Sequence, residues 1–113
     1  MVNRAALLLR YNEPFLRWIN TLDPSARDQD ISMEEANQDS TVYLIDEEVA
    51  ENLEEWIAMN YQTLFDIELE GWSMDESLWP QNRDIDLFNQ WFTVECHTVL
   101  LDTGIEPIFD DEA

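Results

Sequence analysis

The chain has 113 residues, with 26 acidic side chains against five arginines, one histidine and no lysine, for a formal net charge of −21. Such a surface repels nucleic acid and anionic lipid and attracts cations and basic proteins, which excludes phosphate-backbone and membrane-surface partners. An apolar content of 45% with five Trp, five Phe and three Tyr supplies one core of ordinary size and excludes a disordered chain.

The charge is unevenly distributed along the chain. Arg4, Arg10, Arg17 and Arg27 fall in the first 27 residues, beside only Glu13 and Asp23. Every other acid lies after residue 27, where Arg83 is the sole base. Residues 4–11 form a short apolar run and are expected to be a strand. Asn12 is placed to cap a helix with Pro14 in its first turn. Phe15, Leu16, Ile19 and Leu22 follow at helical spacing, and Asp23-Pro24 stops the pattern. Residues 24–31 read as a polar connection. Ser32 with Glu35 fits a capping box for a short helix over 33–38.

Residues 41–46, Thr-Val-Tyr-Leu-Ile-Asp, have the β-branched and aromatic character of a second strand. Asp46 is placed to cap a long helix over about 47–70, closed by Gly71. Val49, Leu53, Trp56, Ile57, Leu64 and Phe65 share one face of it. Glu47, Glu48, Glu51, Glu54 and Glu55 occupy the rest. The end of this segment, residues 65–70, also alternates with period two and so carries a strand alternative. Residues 72–83 form a loop. Asp84 caps a further helix through Ile85, Leu87, Phe88, Trp91 and Phe92, and residues 93–101 give the third strand. The expected order is β-α-α-β-α-α-β: an α/β or α+β domain with a small three-stranded sheet and helices packed on it. Residues 1–108 form one domain and 109–113 an acidic, frayed tail. Cys96 is the sole cysteine, so no internal disulfide is expected, and the start of the chain lacks the pattern of a cleaved leader. A cytoplasmic location is expected.

Cys96 and His97 are adjacent, like a nucleophile and its base. On a strand they point to opposite faces, so Cys96 reads as a core residue and His97 as a neighbour of Glu95. There is no Gly-rich phosphate loop, no Gly-x-Ser-x-Gly elbow and no Asp-x-Asp-x-Asp-Gly calcium loop. No cofactor, metal or catalytic group is therefore expected. Glu51 and Glu55, one helical turn apart, are placed either to chelate a hard cation or to form a solvated face. The segment from Gly71 to Pro80 sets Trp72, Met74, Leu78 and Trp79 among Asp75 and Glu76, a composition of aromatic anchors within charge that marks protein-binding surfaces. The same tryptophans also suit a fold-back that caps the core.

These features favour a non-enzymatic acidic interaction protein of the inhibitor, immunity or DNA-mimic type. Its protein-binding residues would be Glu51, Glu55, Trp72, Asp75, Glu76 and Trp79, and its partner a basic protein or a second copy, not nucleic acid or membrane. In outline the architecture resembles the barstar family of acidic nuclease inhibitors, with Glu51-Asn52-Leu53 followed by Gly71-Trp72 as the echoing segments. That resemblance implies inhibition by an acidic face. One alternative is a small enzyme or a ligand or cation binder using Glu95, His97 and nearby carboxylates. Another is a soluble domain whose charge reflects a salt-rich habitat.

Overall fold

A computed structural model describes residues 2–22 and 30–109. The Asp23-Pro24 stop, most of the expected connection over 24–31 and tail residues 110–113 lie outside the described residues. The elements are β1 (Arg4–Tyr11), α1 (Glu13–Leu22), α2 (Met33–Ala36), β2 (Val42–Asp46), α3 (Glu47–Glu51), α4 (Leu53–Glu70), a 3-10 turn (Glu76–Leu78), α5 (Ile85–Trp91) and β3 (Phe92–His97). The sheet order is β2-β1-β3, and both pairings are antiparallel. The class is therefore α+β, with the first strand at the centre of the sheet.

The register explains the core. Ala5 pairs with Ile45, Leu7 with Tyr43 and Cys96, and Leu9 with Val94. These residues share the face that meets the helices, as the two-residue period of a strand requires. Phe15 and Ile19 of α1, Ile57, Leu64, Phe65 and Leu69 of α4, and Phe88 and Trp91 of α5 cover that face. Aromatic rings dominate the packing. Phe15 stacks on Tyr11 with centroids 4.1 Å apart, and Phe65 meets Phe92 edge-on at 5.2 Å. The opposite face of the sheet carries Arg4, Ala6, Leu8 and Arg10, flanked by Val42, Leu44, Glu95 and His97.

The capping box of α2 forms in full: Ser32 Oγ accepts from the Glu35 N–H, and the Glu35 carboxylate accepts from the Ser32 N–H. Asp84 likewise caps α5 by accepting from the Leu87 N–H at 2.8 Å. Other local expectations are corrected. Asn12 supplies its backbone carbonyl to α1. Its side chain bonds instead to the Gln90 carbonyl and the Thr93 hydroxyl, tying β1 to the junction of α5 and β3. Asp46 starts α3 without a side-chain cap and sits 3.6 Å from Arg4 Nε. Gly71 ends α4 in right-handed backbone, φ −62° and ψ −21°, so no left-handed turn is involved. The third strand stops at His97, opposite Ala6, four residues short of the expected end at residue 101. A single bond from the Val2 N–H to the Leu100 carbonyl continues the pairing beyond it.

The largest departure is a break in the expected helix over 47–70. Asn52 adopts φ −125° and ψ 45°, ending α3, and its carbonyl begins α4 by accepting from Trp56. Asparagine favours such interruptions because its short polar side chain competes with helical backbone bonding. Breaking the rod lets Val49 and Ala50 of α3 and Leu53 and Ile57 of α4 all reach the same core. The strand alternative over 65–70 is not adopted.

Candidate functional site

The residues singled out from the sequence fall into two groups at opposite ends of α4. Glu51 ends α3 and Glu55 lies in the first turn of α4. Both are exposed, and with Glu54 they line a shared recess at the Asn52 break. Trp72, Asp75, Glu76 and Trp79 follow the other end of α4. At 1.5 Å rise per residue, the helix separates the groups by roughly 20 Å along its axis. The six residues are not one patch.

The loop end has turned inward. Trp79 is 7% exposed, and its indole N–H donates to the Ser73 carbonyl at 2.9 Å. Arg83 lies over its ring, with Cζ 5.5 Å from the centroid, and reaches Asp66 at 3.0 Å. That ion pair is a charge contact without an aligned hydrogen bond at Asp66 Oδ1. Trp72 is half-buried, and its indole N–H donates to the Tyr11 hydroxyl at 3.0 Å. Asp75 accepts from both the backbone N–H and the hydroxyl of Ser77, and so holds the 3-10 turn. Both tryptophans are thus engaged by the fold. Met74, 79% exposed, shares a recess with Glu70, Glu76 and the edge of Trp79.

Beneath this loop lies a polar cluster that sequence reasoning missed. Glu68 is 5% exposed on the core side of α4. The Tyr11 hydroxyl donates to its Oε1 at 2.7 Å, and the Tyr43 hydroxyl donates to its Oε2. Two phenols from adjacent strands thereby satisfy a carboxylate that would be costly to bury alone. Burial, then the hydrogen bond and negative charge of Glu68, push both phenols well above their ordinary pKa. The signal lay in the helical spacing: Glu68 follows Leu64 by four residues and Phe65 by three, on the apolar stripe itself.

On the outer face of the sheet, Glu95 Oε2 lies 3.3 Å from Arg10 Nη2 and 3.6 Å from His97 Nε2. Cys96 points to the other face and packs against the core. Among the described residues, no group of three or more His, Cys, Asp or Glu side chains is placed to hold a metal ion. No helix among them is long and apolar enough to cross a membrane.

The break end is different in kind. Glu47, Glu48, Glu51, Glu54 and Glu55 are all exposed, and none of them forms an ion pair among the described residues. The nearest base in sequence after them is Arg83, which is occupied by Asp66. Comparison with known proteins finds no matching family model, no matching characterised protein and no matching solved structure. The outline likeness to barstar therefore carries no further argument.

Proposed function

We propose that this chain is an acidic interaction protein that binds a basic protein partner through the exposed layer formed by α3 and the start of α4. One observation carries the reading: five exposed glutamates flank the Asn52 break, and none of them is paired with a cation among the described residues. Like charges crowded in this way cost stability through mutual repulsion, and a cationic partner relieves that cost. Opposite charge across such a surface speeds encounter and sets orientation.

The test is binding of the chain to a basic globular protein at about 0.1 M salt, where the Debye length is about 10 Å. Binding should weaken steeply as salt rises, mainly through slower association. The double substitution Glu51→Lys and Glu55→Lys should reduce affinity by about tenfold or more, following the magnitude of close charge pairs across interfaces. Equal affinity for this variant and the parent chain rejects the reading. The habitat alternative makes a separate prediction. If self-repulsion is the whole meaning of the charge, stability climbs to molar salt and no saturable partner is found.

A further inference from the structure

The break at Asn52 opens a notch of about 220 Å³, lined by Glu48, Val49, Asn52, Glu55, Trp56 and Met59. Its apolar part comes from Val49, Trp56 and Met59. Its polar part is two carboxylates and a neutral amide, with no basic side chain. The volume lies below the roughly 300–1,000 Å³ of small-molecule pockets and suits a single side chain.

The Trp56 ring sets this notch apart, because Trp18, Trp72, Trp79 and Trp91 each have an aromatic or cationic neighbour. The indoles of Trp18, Trp72 and Trp79 each donate a hydrogen bond within the fold. Trp56 packs partly on the core, yet among the described residues its indole N–H has no partner and its ring has no aromatic or cationic neighbour. Met59 beside it is 79% exposed. The protein also contains an internal version of the missing contact. At Trp79, Arg83 covers the ring and reaches the carboxylate of Asp66.

We infer that the notch receives an arginine side chain of the basic partner, an inference that rests on the acidic-surface reading above. The aliphatic stem lies along Val49 and Met59, the guanidinium covers the Trp56 ring, and its N–H groups donate to Glu48 and Glu55. Arginine is favoured over lysine because its planar, weakly hydrated cation stacks on an aromatic face and forks onto carboxylates.

The experiment compares peptides of eight arginines and eight lysines against the intact chain at about 0.1 M salt. The arginine peptide should bind about two- to fivefold tighter than the lysine peptide, the range of one exposed cation–π contact. The Trp56 indole resonance should move with the arginine peptide and not with the lysine peptide. Met59→Lys, at an exposed position that leaves the fold intact, should abolish both the preference and the resonance shift. Trp56→Leu, which keeps apolar volume without the ring face, should reduce the preference to near unity. Equal binding of both peptides with an unmoved Trp56 resonance overturns the notch and leaves the acidic surface standing. If neither peptide binds, the acidic-surface reading itself fails, and the notch with it.

Discussion

Trp79 and Trp56 sit at the two ends of α4, each beside carboxylates, and their circumstances are opposite. Trp79 is buried, its indole bonds to Ser73, and its ring is covered by Arg83, which Asp66 holds in place. Trp56 has glutamates around it and, among the described residues, no arginine over its ring. A tryptophan with acids marks a place where a cation is favourable. Whether the chain fills that place itself separates a structural element from a docking position.

The largest effect expected from this contrast is on stability. Trp79→Ala should cost about 3–5 kcal/mol in urea unfolding, as for large aromatics lost from cores. Trp56→Ala, at a half-buried site, should cost roughly half as much or less. Equal costs at the two positions would erase the distinction.

A second effect comes from the cluster that fastens the loop end. Tyr43→Phe leaves one oxygen of buried Glu68 without its donor and should cost about 1–3 kcal/mol. The pH dependence has a definite sign. The folded protein keeps the Tyr11 and Tyr43 protons at a pH where an unfolded chain, with tyrosines near their usual 10, has lost them. The unfolded state therefore binds fewer protons above that value, so stability is intact below pH 10 and falls as pH rises beyond it. Alkaline unfolding followed by tyrosinate absorbance should show these two phenols ionising only as the fold is lost. Early ionisation of both, in a protein that remains folded, contradicts the arrangement.

Arg83→Gln makes the two ends of α4 more alike. It should cost about 0.5–1 kcal/mol, because it removes one partly exposed ion pair and one cation–π contact. It should also perturb the Trp79 indole resonance without affecting that of Trp56. The smallest expected effect is that of Asn52→Ala. Alanine is a better helix former by about 0.5 kcal/mol, but closing the break would pull α3 off the core, so the net change in stability should be near zero. Its informative readout is the preference for the arginine peptide, which should fall if the break shapes the notch.

Much of the architecture was legible from local pattern. The strands at 4–11 and 41–46, the Ser32–Glu35 capping box and the Asp84 cap all rest on interactions within a few residues, and all are present. So does the separation of Cys96 from His97, which needs only the alternation of a strand. The surface around Glu51 and Glu55 was legible as charge. The inward turn of the loop tryptophans was legible as the fold-back alternative, whereas the groups that engage their indoles, Tyr11 for Trp72 and Ser73 for Trp79, were decided by folding.

Residue order alone therefore determined a small sheet with helices and a strongly acidic latter part. These follow from periodicity and from charges that do not depend on conformation. Tertiary structure decided three further things. It set both strand pairings antiparallel, since register depends on which faces meet the helices. It broke the helix at Asn52, where covering one core from two directions outweighed continuity. And it placed Glu68 under two tyrosines and Arg83 over Trp79, leaving Trp56 with acidic surroundings that hold no cation among the described residues.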